Sequence, residues 1–236
     1  MIGQRGGTKT ARVERYRDGS SQSRKDVLAV EEPLEIRVSW LGKEGPRVES
    51  IAITMRTPGN DFELVAGFLR SEGVLTSASD VLELSYCQGP DEQEYNVVEA
   101  KLAPDVRFDL ELLRRNVFTN SSCGVCGKAS LEAVEAAGCQ LLPSGLTVDV
   151  ELITELPDRL LQRQAVFERT GGLHAAGLFD ASGKRHVVME DVGRHNAVDK
   201  VGGHELLARR LPASNKILVV SGRASFELVQ KAVIAG

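Results

Sequence analysis

Apolar and polar residues alternate through "EEPLEIRVSWLGKEGPRVESIAITMRT". Leu34, Ile36 and Val38 share one side of a first run, and Ile51, Ile53 and Met55 one side of a second. A period of two belongs to half-buried strands, and "GKEG" between the runs supplies a turn, so a β-hairpin is predicted. The period then lengthens. In "PGNDFELVAGFLRSEGVL" the apolar Leu64, Val65, Phe68 and Leu69 fall on one helical face. Asn60 or Asp61 opens that helix and Gly73 stops it. "VLELSYCQ" and "YNVVEAKLA" predict a second hairpin across "GPDEQE", which makes the first half α+β with antiparallel pairing.

Beyond this point "KASLEAVEAAG" predicts a short helix ended by Gly138. "LLPSGLTVDV" reads as a linker or short strand, and "PDRLLQRQAVFERTG" as a helix with Pro157 in its first turn. "LHAAGLFD" and "RHVVMEDV" are strands joined by "ASGK". "RHNAVDKVGGHELLARR" is a helical stretch interrupted at Gly202–Gly203. "KILVVSG" is an apolar strand, and "SFELVQKAVIAG" a helix that Ser225 caps. Helices alternating with strands in this order predict a mixed α/β fold, a sheet covered by helices.

Composition narrows the class. The chain has 236 residues, 42% hydrophobic and 26% charged, enough for one large or two modest domains with a real core. A formal net charge of −4 excludes a general nucleic-acid binder but leaves room for one basic pocket. Four cysteines are too few for a disulfide scaffold, which points to a reducing compartment. No apolar run has membrane-spanning length, and the start has no apolar core of a secretory signal, so a cytoplasmic location is expected. Residues 1–26, rich in Arg, Gly and Ser, read as a mobile basic tail.

Candidate chemistry lies in two places. The first is "SSCGVCGKAS", a C-x-x-C pair of Cys123 and Cys126. Structural zinc needs four ligands, and Cys87, Cys139 and the four histidines do not complete a set at zinc-site spacing. A zinc deaminase needs H-x-E before P-C-x-x-C, and His174-Ala175-Ala176 lacks the proton-shuttling Glu. Sulfur chemistry fits better: a helix start and Lys128 favour the thiolate, and Gly124 and Gly127 leave room around the sulfurs. An inert cysteine pair is the bland alternative.

The second place is a pair of strand–Gly–helix junctions. "MEDVGRHNAVDK" carries Glu190, Asp191, Gly193, Arg194, His195, Asn196 and Lys200; "VVSGRASFE" carries Ser221, Gly222, Arg223 and Ser225. Such junctions aim backbone N–H groups at anions, and two on neighbouring strands could converge on one ligand at the carboxyl edge of a sheet. Arg194 and Arg223 could meet phosphates, and Asp191 or Glu190 a guanine edge. The alternative is a solvated charge run at a helix end. Neither junction is a P-loop. Three readings stay open on the residues alone: a persulfide carrier, a dithiol redox protein, and a guanine-nucleotide-binding module with inert cysteines.

Five stretches in order, "MRTPGNDFELVAGFLRSEGV", "SSCGVCGKAS", "TGGLHAAGLF", "EDVGRHNAVDKVGG" and "SGRASFELVQKAVIAG", resemble the formate dehydrogenase accessory sulfurtransferase family, FdhD. The resemblance implies a sulfur carrier that takes sulfane sulfur from a cysteine desulfurase. It implies delivery to the molybdenum cofactor, bis-molybdopterin guanine dinucleotide, for formate dehydrogenase. It makes Cys123 the persulfide carrier with Cys126 beside it, and implies a homodimer with a cytidine-deaminase-like fold and an extra N-terminal region. The expected division is a tail over 1–26, an α+β region over 27–118, a mobile C-x-x-C loop over 119–130 and a deaminase-like domain over 131–236. Family sequences continue past Gly236 with further strands, so the last domain reads as truncated.

Overall fold

A computed structural model describes residues 6–87, 95–111, 113, 142 and 145–236. The C-x-x-C loop expected over 119–130, with Cys123 and Cys126, and the helix expected in "KASLEAVEAAG" lie outside the described residues.

Strands β1 (Thr8–Arg17) and β2 (Ser20–Ala29) pair antiparallel as a two-stranded ribbon. This corrects the tail expected over 1–26. Asp18 and Gly19 at the turn have φ of 51° and 76°, the left-handed pair that a two-residue hairpin turn needs. Asp-Gly is among the sequences this turn favours, and it overrides the polar composition of its flanks.

Strands β3 (Glu32–Gly42) and β4 (Gly45–Arg56) form the predicted hairpin, and β5 (Val81–Tyr86) pairs antiparallel with β6 (Val97–Leu102). The two hairpins join through a parallel β3–β6 pairing, giving the order β4-β3-β6-β5. Helix α1 (Asp61–Ser71) packs on one face of this sheet, where Leu34, Ile36, Val38, Val98 and Ala100 meet Leu64, Val65 and Leu69. Arg56 at the end of β4 bonds Asp61 at the start of α1 (Nη2–Oδ2 3.0 Å) with both side chains buried. That pair fixes the bend between them, and so the position of Thr57.

A second sheet has the order β8-β7-β9, from β7 (His174–Phe179), β8 (Arg185–Asp191) and β9 (Ile217–Val220). Both neighbours run antiparallel to β7, so β8 and β9 run the same way and end on the same edge. Alternation along β7 covers both faces. Ala176 and Leu178 face α4 (Arg194–Leu207) and α5 (Phe226–Ala235), whereas Ala175 and Phe179 face Leu152, Leu156 and Leu160 of α2 (Val150–Leu161).

Two helical expectations change. The stretch read as one helix from Pro157 is α2 followed by α3 (Ala165–Thr170), and α2 already starts in the stretch read as a linker. Pro157 therefore sits inside α2, on its exposed side, where the missing N–H removes one helical bond but meets no buried partner. The interruption expected at Gly202–Gly203 is absent: α4 runs unbroken through both. Gly203 lies against the backbone of Glu63 and Gly67 against that of Asp199, so these glycines let α1 and α4 touch backbone to backbone. That contact joins the two sheets.

Candidate functional site: a sheet edge between two strand–helix junctions

The carboxyl ends of β8 and β9 flank the start of β7. His174 stands opposite Asp191, and Ser221 clips the other side, donating its N–H to Ala175 O (3.0 Å) while its Oγ accepts from Ala175 N (2.9 Å). The two junctions do converge. A β-carbon on Gly222 would lie 3.3 Å from Arg194 Cδ and 3.4 Å from His174 Nδ1, so glycine there lets the second junction close on the first. A cavity of about 440 Å³ opens at this edge, lined among others by Phe167, Gly171, Gly172, His174, Val192 and Ser221. Its size is that of a small-ligand site. Arg223 is exposed and Arg194 half-buried at the same edge.

Asp191, Asn196 and Lys200 do other work. Asp191 is fully buried and binds Lys200 Nζ at 2.7 Å. It also accepts from the N–H groups of Thr57 (3.2 Å) and Gly193 (2.8 Å) and from Asn196 Nδ2 (3.0 Å). Lys200 donates further to the carbonyls of Thr57 (3.0 Å) and Glu190 (3.2 Å). Asn196 donates to Met55 O (2.8 Å) and accepts from Thr54 Oγ1 (3.3 Å). The guanine edge suggested for Asp191 is thus corrected: its oxygens are occupied by protein donors, because a carboxylate this deep needs them. Glu190 is likewise engaged, accepting from the N–H groups of Val166 (3.0 Å) and Phe167 (2.8 Å) at the start of α3. Together these residues form a buried bracket that ties the end of β4 to the first junction. Arg194, His195, Ser221, Gly222 and Arg223 are left at the edge itself.

Thr57 is the residue that sequence reading missed. Its Oγ1 accepts from Val192 N at 3.2 Å, closing the bracket from the N-terminal side. The signal was available only as its place in "MRTPGND", next to buried Arg56.

His195 joins the two helix starts, its Nε2 3.3 Å from Glu227 Oε2 and 3.4 Å from Ser225 Oγ. Burial, then the Arg194 and Lys231 cations, push its pKa down to about 4. At neutral pH the ring is therefore uncharged, and a proton on Nε2 is donated to Glu227 or Ser225. An unfolded chain takes up this proton near 6.5, whereas the folded one does not until about 4. His195 thus weakens the fold progressively as pH falls through that window. An NMR titration is expected to show its imidazole neutral at pH 6, with a midpoint near 4. A midpoint between about 6 and 7 would contradict the burial argument.

Among the described residues no helix is long and apolar enough to cross a membrane. The sequence model of the FdhD/NarQ family matches residues 29–236. The sulfur carrier protein FdhD of Streptomyces coelicolor is 53% identical over 234 residues, covering 97% of this chain and 80% of that protein. The protein of the same name from Saccharolobus solfataricus is 44% identical over 222 residues, covering 94% of this chain and 79% of that protein. A crystal structure from Desulfotalea psychrophila, described as a formate dehydrogenase accessory protein, superposes with a TM-score of 0.72. It is 23% identical, over 98% of this chain and 81% of that one, and so shares the fold. With matches of this extent, the chain belongs to the FdhD/NarQ family.

Proposed function

We propose that this chain is a sulfurtransferase that carries sulfane sulfur on Cys123 from a cysteine desulfurase to the molybdenum cofactor required by formate dehydrogenase. The observation that carries the reading is about 50% identity, over nearly the whole chain, to proteins named as sulfur carriers. The Cys123–Cys126 pair supplies a chemical means. The Cys123 thiolate attacks the outer sulfur of the donor persulfide; the new S–S bond forms as the donor's breaks, and the donor leaves as a thiolate. Cys126 then attacks Cys123 Sγ, so the terminal sulfur departs as sulfide with the electron pair of the broken bond. The resulting Cys123–Cys126 disulfide is reopened by a cellular thiol.

The substrate in this reading is the bis-molybdopterin guanine dinucleotide form of the cofactor. The sheet-edge cavity, with His174 and Ser221 in its wall, supports binding of one end of it, and Arg194 and Arg223 stand at the same edge to meet phosphates, beside Gly222 and His195. Strand order β8-β7-β9 with helices on both faces supports a likeness to cytidine deaminases. The absent Glu in His174-Ala175-Ala176 removes their chemistry. A homodimer in the cytoplasm completes the reading.

Incubation with desulfurase and cysteine is expected to add about 32 Da per sulfur to the intact mass, a gain reversed by dithiothreitol. Cys123→Ala should abolish it, and Cys126→Ala should retain the adduct but stall its release. An unmutated protein that gains no mass, or that gains it equally without Cys123, overturns the proposal.

A further inference from the structure

The β1–β2 ribbon has no part in the chemistry above. Between Thr8 and Ala29 it carries six basic residues, Lys9, Arg12, Arg15, Arg17, Arg24 and Lys25, against three acidic ones, Glu14, Asp18 and Asp26. The whole chain has 29 basic and 33 acidic residues, so the rest holds 23 against 30. A cationic arm thus stands on an acidic body.

Its register concentrates the charge. Arg12 stands directly opposite Lys25, and Val13 opposite Arg24. Like charges opposite one another destabilise a strand pair. Both Arg12 and Lys25 are exposed, and among the described residues neither has a carboxylate partner. Arg24 is paired with Asp26 (2.8 Å), and Arg17 only loosely with Asp18 (3.9 Å). An isolated two-stranded hairpin is marginal in water. This one is held at its root, by Val30 N to Gly7 O (3.0 Å), by Arg169 Nη2 to Thr8 Oγ1 (3.4 Å) and by α3 packed on β2. Farther out, both faces stand free and are cationic. The root matters for a second reason: α3 supplies Phe167, and Gly171 follows it, in the wall of the sheet-edge cavity. One short helix therefore separates the arm from the cavity.

We propose that the β1–β2 ribbon is a docking arm for an acidic protein surface, and that a partner bound to it sits beside the mouth of the cavity. Charge complementarity selects the partner: side chains can place carboxylates against Arg12 and Lys25, which share one face of the ribbon, while avoiding Glu14 and Asp18. A uniform phosphate backbone cannot avoid them. The arm also carries a single aromatic, Tyr16, and so has no series of rings on which successive bases could stack. The inference does not depend on sulfur chemistry at Cys123, because the test reads binding alone.

Fluorescence anisotropy of the full chain with a labelled oligoglutamate peptide, and separately with labelled duplex DNA, makes the test. Peptide binding is expected to weaken with salt and to fall about tenfold or more, 1.4 kcal/mol, in Arg12→Glu/Lys25→Glu. The charge-retaining Arg12→Lys/Lys25→Arg should bind within about twofold of the unmutated chain. Should the reversed variant fail to melt like the unmutated chain, Arg12→Gln/Lys25→Gln carries the same comparison. Absent peptide binding, equal binding by the reversed or neutral variant, or tighter binding of DNA than of peptide each overturns the proposal.

Discussion

Gly203→Ala is expected to destabilise the protein by about 3 kcal/mol and lower its melting temperature by roughly 10 °C. A β-carbon at Gly203 would overlap the carbonyl oxygen of Glu63 in α1; it is fixed to its own helix, and the atoms it meets are backbone, so neither can rotate away. Relief requires α1 and α4 to move apart, and both are anchored: α1 by the β3–β6 core, and α4 by the β7–β8 sheet. The neighbouring glycine supplies the control. A methyl group on Gly202, in the same helix, would meet no atom within 4 Å. Gly202→Ala should therefore stabilise by about 0.5–1 kcal/mol, through helix propensity alone. Thermal melts of the two variants, differing by one position, are expected to shift in opposite directions. Equal small shifts would show that the α1–α4 crossing tolerates a methyl group and is looser than described.

That pair also shows where sequence reading stops. Two glycines inside a helical pattern look like an interruption, since glycine weakens helices. Only the neighbouring helix reveals that one of them is a contact surface. Strand β3 and α1 were legible because their burial follows a clean local period, with Leu34, Ile36 and Val38 all buried. On β4 the face expected for Ile51, Ile53 and Met55 is corrected, because a bulge at Ile51 shifts the register and leaves Ile53 and Met55 exposed. The parallel β3–β6 pairing was not, because no local pattern encodes which distant strand lies alongside. The ribbon was hidden for the opposite reason: it buries little, so its period carries no hydrophobic signal, and only Asp18-Gly19 betrays the turn. At the site, both junctions and their shared edge could be read from strand–Gly–helix order. Which polar residues face the cavity could not. Asp191 and Lys200 have the residue types of a ligand pair and the burial of a structural one. Position in three dimensions decides between those roles.

Asp191→Ala should be the most damaging change at the bracket, costing about 3–5 kcal/mol. It leaves the buried Lys200 ammonium with carbonyl partners only, and it strips an acceptor from the N–H groups of Thr57 and Gly193. Lys200→Met should cost less, because Asp191 keeps its three N–H donors while losing one cation. The double variant Asp191→Asn/Lys200→Met is expected to be more stable than Asp191→Ala alone, since it removes both charges together and keeps an amide oxygen to accept from Gly193 and Asn196, with only the Thr57 N–H losing its acceptor. Urea unfolding at neutral pH reads all three. The bracket ties Thr57 to the strand end that carries Arg194, so under the function proposed above any Asp191→Ala protein that stays folded should also bind guanine nucleotide more weakly. The double variant should recover part of that binding. A double variant no more stable than Asp191→Ala would mean that Asp191 and Lys200 act separately, and that the first junction is held by its strands rather than by this buried pair.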